Sequence, residues 1–439
     1  MYAADRGRRD AKVCSRPSAA ELAASATIAS PAVAPLERPR LLAAFLAVVA
    51  LAAGVAGAIV GAGGSDDGGA APRGGSDRAS FLTRVVPPAA EPRRPAPVPA
   101  VPRSVARLEQ RLTLERKVAQ LFLFGFEGRD LTAEIFGRLR RHDVGGIVVA
   151  GPNYVDSTQL SQMAGEAAVI ARDERHVPPW VLAIQDGGDL NSFPDLPPAV
   201  APADLASVNE ARAQAAETAR TLRGLGLNGI LGPTVDVGLQ TGSALGARVY
   251  SDDPEKVARF AGATVRALRR GRLFSAAGHF PGLGGADQST EEGPASVGLG
   301  PDELRERDFL PFQAAIQAGV PAVVLSHALY PVNDFTAPAS LSREVATDLL
   351  REALGFTGAA ITDDLADAAI TTSYFVPDAA VEALRAGADM LFISGPAGDQ
   401  QSAYAAVLRA ARSGDIPRAR LDQAVRRILI AKERYGLIR

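Results

Sequence analysis

The sequence predicts an α/β fold: a (β/α)8 TIM barrel preceded by one transmembrane helix and a disordered linker. Three observations lead to it. Eight short apolar runs recur from residue 104 onward. Amphipathic stretches separate them, the alternation expected of buried parallel strands each followed by a covering helix. A long uncharged run lies near the N-terminus. At 439 residues the chain has room for one barrel, which takes about 250 residues or more, and for appendages. A composition of 47% hydrophobic and 22% charged residues supports a large buried core.

Residues 1–40 read as a cytoplasmic basic tail carrying Arg6, Arg8, Arg9, Lys12, Arg16, Arg38 and Arg40. Residues 41–62, LLAAFLAVVALAAGVAGAIVGA, carry no charge and are long enough at 1.5 Å per residue to cross a hydrocarbon core of about 30 Å. Asp66 and Asp67 follow, so the bias of basic residues places the N-terminus inside and everything after residue 63 outside the cytoplasm. The expected location is the cell membrane, single-pass, with the C-terminal domain extracytoplasmic; the alternative is secretion after cleavage of a signal peptide. Residues 63–103 read as a linker, rich in Gly and Ser and then in Pro, which favours extended polyproline conformation.

The barrel is assigned to residues 104–439. Its strand candidates are 118–126, 144–151, 180–186, 228–237, 274–280, 322–330, 359–365 and 388–394. Helical stretches lie between them, such as NEARAQAAETARTLRGLG and PEKVARFAGATVRALRRG, closed by Gly, and PDELRERDFLPFQAAIQAG, opened by Pro301 and closed by Gly319. The last, through LDQAVRRILIAKERYG, covers the closing strand. A doubly wound open sheet rarely uses eight strands, and no glycine-rich dinucleotide fingerprint follows the first.

The 47 Lys and Arg against 49 Asp and Glu leave no basic field for a polyanion, so nucleic acid is not an expected partner. The single Cys14 allows no intramolecular disulfide and no cysteine metal cluster.

In such barrels function gathers at the carboxyl ends of the strands. Asp186 ends the third strand candidate, Asp236 the fourth and His279 the fifth; Arg248 follows in a loop, His327 lies in the sixth, and Asp363 with Asp364 ends the seventh. With four histidines in the chain, no phosphate-binding glycine loop and no strand lysine for a Schiff base, nucleotide, aldolase and metal-hydrolase chemistry fit poorly. Sugar chemistry fits best: a buried carboxylate can trap an oxocarbenium-like centre while Arg and His bind hydroxyls. No cofactor and no metal are expected.

Residues 108–439 resemble glycoside hydrolase family 3, nearest the single-domain bacterial β-N-acetylhexosaminidases that trim cell-wall sugars. Four blocks match in order: ARVYSDDPEKVARFA its Arg-Ser-Phe-Gly-x-Asp-Pro block, GHFPGLGG its Lys-His-Phe-Pro-Gly-His-Gly block, LSHALYP its Ser-Ala-His segment, and FTGAAITDDL its Gly-Val-Ile-x-Ser-Asp-Asp-Leu segment. The resemblance implies a retaining exo-glycosidase, a β-N-acetylhexosaminidase or a β-glucosidase-like hydrolase, acting on an extracytoplasmic glycan, with peptidoglycan fragments among its expected partners; the N-terminal apolar run makes the membrane a second expected partner. It implies Asp363 as nucleophile and Arg248 and His279 as substrate-binding, with Asp186, Asp236 and His327 on the sugar-binding rim. Departures accompany it. Ile184 stands where the family has a hydroxyl-binding aspartate, Asp189 where it has an arginine, and Gly278 where it has a lysine. The loop that carries an Asp-Ser-His acid/base dyad in those hexosaminidases reads GADQSTEEGPAS. Asp287 and Glu291, with Glu292, are then the candidate acid/base groups, and a catalytically impaired, glycan-binding barrel at the cell surface is the alternative function.

Overall fold

The computed structural model describes residues 101–239, 242–333 and 336–438. The expected basic tail, the expected transmembrane helix at 41–62 and all but the last three residues of the expected linker at 63–103 lie outside the described residues. Among those described, no helix is long and apolar enough to cross a membrane.

Eight parallel strands close into a barrel in sequence order. They are β1 (Phe122–Phe124), β2 (Gly146–Val149), β3 (Trp180–Ile184), β4 (Gly229–Thr234), β5 (Phe274–Phe280), β6 (Ala322–Leu325), β7 (Ala359–Asp364) and β8 (Met390–Ile393). Closure is made by β1 against β8, with Phe122 opposite Leu391 and Phe124 opposite Ile393. Each strand falls inside its expected window, but several are shorter, because the apolar runs continue past the last ladder pair into the loops over the barrel mouth. His327 therefore lies two residues beyond β6, not within it, and Asp186 and Asp236 lie two residues beyond β3 and β4.

The covering helices form where polar caps meet apolar stripes. Asp253 accepts from the amides of Glu255 and Lys256 to start Pro254–Arg270, and Ser207 accepts from Glu210 to start Val208–Gly224, each satisfying an otherwise orphan donor. The first of these buries Val257, Phe260, Ala261, Val265 and Leu268 on its inner face. Trp180 and Phe274, the first residues of β3 and β5, stack with ring centroids 4.3 Å apart, and Tyr435 meets both edge-on. That aromatic cluster lies at the amino ends of β3 and β5, away from the strand carboxyl ends.

Next to β8, Asp389 is fully buried and accepts from Arg351 (2.6 Å), Arg420 (2.7 Å), Arg427 (3.0 Å) and the Ala360 amide (3.0 Å). Burial alone would raise its pKa, but the three guanidinium groups override that and hold it below the usual carboxylate value. Its stabilising contribution is thus present above the ordinary carboxylate range and is lost as pH falls through and below it. Asp389→Asn leaves three buried cations underpaired and is expected to cost about 3–5 kcal/mol in urea unfolding at pH 7. A loss below about 1 kcal/mol would mean that the arginines are held by other contacts.

Candidate active site

A cavity of about 860 Å3 opens at the carboxyl ends of the strands. It is within the size range of small-molecule sites, about 300–1,000 Å3. Glu127, Asp186, Arg248, His279, Glu291, Asp363, Asp364 and Asp367 supply its charged walls.

The β3 arm is set by a folded loop. Gln185 donates to the carbonyls of Phe193, Leu196 and Pro197 and accepts from the Phe193 amide, while Asn191 accepts from the Gly187 amide at 2.8 Å. Gly187 has φ +123°, and a Cβ there would stand 2.3 Å from the Val200 carbonyl oxygen, so this turn requires glycine. Asp186 is thereby aimed into the cavity rather than spent capping a turn. Its carboxylate lies 3.5 Å from Arg248 Nε, and burial raises its pKa against the pull of that arginine. Arg248, in the turn after β4, also holds Glu291 at 3.2 Å.

His279, on β5, is fixed by Asp236. The carboxylate accepts from the His279 amide (2.9 Å), from His279 Nδ1–H (2.8 Å) and from the Leu283 amide (2.6 Å), and its side chain is fully buried. Gly284 lets the same loop run against the β4 loop, since a Cβ there would sit 1.9 Å from the Val237 carbonyl oxygen. Burial would depress the imidazole, but Asp236, Asp363 and Asp186 outweigh it and lift its pKa to about 9. At neutral pH His279 is a cation, and its free Nε2 stands 3.9 Å from Asp363 Oδ2.

The other strand-end histidine does different work. His327 is buried, with Nε2 2.9 Å from the Asp364 carbonyl oxygen and Nδ1 2.7 Å from Ser340 Oγ. A carbonyl only accepts, so Nε2 carries the proton and the serine hydroxyl donates to Nδ1. Burial pushes this imidazole down, in keeping with a neutral ring. The two aspartates that end β7 also divide their roles. Asp364 Oδ1 accepts from the amides of Ala366 and Ser394 and ties β7 to β8, whereas Asp363 turns its side chain into the cavity.

The structure therefore brings Asp186, Arg248, His279, Glu291 and Asp363 together. It places Asp236 and His327 behind the cavity wall, as props for His279 and for the end of β7 rather than on the sugar-facing rim. Asp287 is also off the wall: its carboxylate accepts from the Ser296 amide at 2.7 Å and its own amide donates to the Ser296 carbonyl, closing the loop next to the Ala286–Val297 bridge. Ile184, apolar, is on the wall.

Asp367 was not singled out from the sequence. It opens the short helix Ala368–Thr371 four residues after Asp363, and among the described residues its side chain has no hydrogen bond or ion pair. Burial, then the charges of Asp363, Asp364 and Glu291, raise its pKa to about 9. The signal was a third acid in ITDDLAD, which reads equally as an ordinary helix start. Among the described residues no group of three or more His, Cys, Asp or Glu is placed to hold a metal ion.

A closed (β/α)8 barrel whose strand ends gather carboxylates, one arginine and one imidazolium around a sugar-sized cavity defines a barrel glycosidase. Residues 113–431 match the model of the glycosyl hydrolase family 3 N terminal domain. A beta-hexosaminidase of Stenotrophomonas maltophilia is 33% identical over 286 residues, 63% of this chain and 84% of that protein. A solved family 3 beta-N-acetylglucosaminidase from a Paenibacillus species superposes with a TM-score of 0.72 at 31% identity, covering 74% of this chain; the chain spans 63% of that longer one. The beta-N-acetylhexosaminidase of Beutenbergia cavernae superposes with a TM-score of 0.67 at 29% identity, covering 73% of this chain and 99% of its own. The chain belongs to glycosyl hydrolase family 3, and is a glycosidase that hydrolyses O-glycosyl bonds.

Proposed function

We propose that the chain is a retaining exo-glycosidase, a β-N-acetylhexosaminidase, with Asp363 as its nucleophile. The observation that carries this reading is Asp363 on the wall of the cavity, its carboxylate oxygen 3.9 Å from a charged His279. The names of its relatives support the hexosamine substrate. In this reading an Asp363 oxygen attacks the anomeric carbon as the glycosidic bond breaks, giving a glycosyl ester that water then cleaves. His279 holds positive charge beside the nucleophile, and the Asp186–Arg248 pair grips sugar hydroxyls from the opposite wall. Glu291, already bonded to Arg248, orients that arginine.

The test is the anomer first released from an aryl N-acetyl-β-glucosaminide, followed by NMR before mutarotation. The reading expects the β anomer; the α anomer would contradict it. Sugar binding in calorimetry without turnover of any aryl glycoside would favour the alternative, a glycan-binding barrel, which Ile184 and Gly278 support because each lacks a polar group where the family binds sugar.

The substrate is proposed to lie outside the cytoplasm, with peptidoglycan fragments the expected source. The uncharged run at 41–62 and the basic residues before it support a single membrane anchor. The full chain is expected to sediment with membranes and to resist extraction at high salt; recovery in the soluble fraction would contradict anchoring.

A further inference from the structure

Retaining hydrolysis requires a proton on the leaving oxygen as well as a nucleophile. Around this cavity the carboxyl groups differ sharply in what they are bonded to. Asp186 and Glu291 share Arg248. Asp364 accepts from two amides. Asp363 faces His279 and takes the Asp364 amide at 3.1 Å. Asp287 is closed onto Ser296, away from the wall.

Of the carboxyl groups on the wall, only Asp367 and the exposed Glu127 have no bonded partner among the described residues, and of these two Asp367 is the one set among other carboxylates. Its backbone is nonetheless well held: its amide donates to the Asp364 carbonyl at 2.9 Å, and the amide two residues on, of Ala369, donates to Thr290 of the β5 loop at 3.0 Å. A carboxyl set rigidly among carboxylates, with no cation bonded to it, is placed to be kept in its neutral acid form. The acid is thus anchored at the junction of the β5 loop and the β7 end, where that loop brings no histidine of its own.

We propose that Asp367 is the general acid/base of this glycosidase. The inference rests on the retaining reading above and adds the missing half of it. In the first step an Asp363 oxygen bonds to C1, the C1–O bond breaks, and the Asp367 proton passes to the leaving oxygen, releasing the alcohol and leaving Asp367 as a carboxylate. In the second, water attacks C1 and gives its proton to Asp367; the ester bond breaks, freeing the sugar and restoring both groups. Burial and the neighbouring Asp363, Asp364 and Glu291 carboxylates raise Asp367 above the ordinary carboxylate range, which favours its protonated form.

The experiment compares Asp367→Asn with the unaltered full chain on two probes, 2,4-dinitrophenyl and phenyl N-acetyl-β-glucosaminide. Dinitrophenolate leaves unaided; phenolate does not. The expected loss in kcat/KM is about 10²–10⁴-fold for the phenyl glycoside and within about tenfold for the dinitrophenyl one. Azide, which needs no base, is expected to restore turnover of the dinitrophenyl substrate with the β-glycosyl azide as product, which also shows that the variant is folded. Glu291→Gln, in contrast, is expected to lower both substrates by the same factor. Equal losses on both probes for Asp367→Asn, or no azide product, would overturn the assignment. If the unaltered enzyme is labelled at Asp363 and this variant still behaves like it, only the role of Asp367 fails; if the unaltered enzyme turns over neither probe, the retaining reading fails with it.

Discussion

Asp363→Asn is expected to lower kcat on aryl N-acetyl-β-glucosaminides by on the order of 10⁴-fold or more, the scale seen when the nucleophile of a covalent enzyme is removed. The amide is isosteric, so packing around β7 is retained, and the main-chain contacts of that strand end are made by Asp364 and His327 instead. Asparagine can still accept from the Asp364 amide. What it lacks is the negative oxygen that bonds to the anomeric carbon. The loss is therefore expected in kcat with little change in the affinity for a sugar product, and azide should not rescue the protein's normal β-configured turnover. An unchanged unfolding midpoint alongside the lost rate separates chemistry from folding; a loss under tenfold would point to another nucleophile.

Asp236→Asn is expected to act on stability and on its pH dependence, through His279. The carboxylate accepts three hydrogen bonds, at 2.9, 2.8 and 2.6 Å, in a fully buried position. An amide has one oxygen and turns an N–H toward a donor on the other side. Removing a buried charge from its ionic partner costs about 3–5 kcal/mol, and the retained oxygen argues for the lower end. The pH dependence has a definite sign. His279 is raised from 6.5 to about 9 in the folded protein, so its contribution to stability is complete below pH 6.5 and is lost as pH rises through about 9. That difference corresponds to about 3.5 kcal/mol at most, at about 1.4 kcal/mol per pKa unit. The unaltered enzyme should lose stability between these pH values, and Asp236→Asn should lose less, because its imidazole titrates nearer the ordinary value. Urea unfolding at pH 6 and pH 9.5, with the imidazole followed by NMR, checks both statements; a slope that survives the substitution would mean that Asp363 and Asp186 alone hold the proton on His279.

The barrel was legible because its strands are buried on both sides and so read as unbroken apolar runs between capped helices. Strand ends were less legible: the runs continue for two or more residues into the mouth loops, which is why His327 appeared to sit in a strand. Residue position told that Asp236, His279, His327 and Asp363 gather near one rim, but not which way each side chain turns. That is decided by local bonding. Asp236 and His327 meet main-chain partners behind the wall, while Asp363, one residue before an aspartate that takes the amides, is left free to face the cavity. The β5 loop shows the same limit. Asp287 and Glu291 are equivalent as loop acids in the sequence, yet pairing of Ala286 with Val297 turns Asp287 into the loop and leaves Glu291 by Arg248. Asp367 was hidden because an acid before a short helix is the ordinary way to begin one.

The most direct measurement is covalent trapping. A 5-fluoro N-acetyl-β-glucosaminyl fluoride reacts quickly at C1 because fluoride leaves well, while the ring fluorine slows hydrolysis of the glycosyl ester that follows. After incubation with the full chain and digestion, the mass of one bound sugar should appear on the peptide containing Ala359–Asp364, with fragmentation placing it on Asp363, and Asp363→Asn should take up none. A label on any other residue, or turnover of the reagent with no ester ever accumulating on β7, would contradict the account.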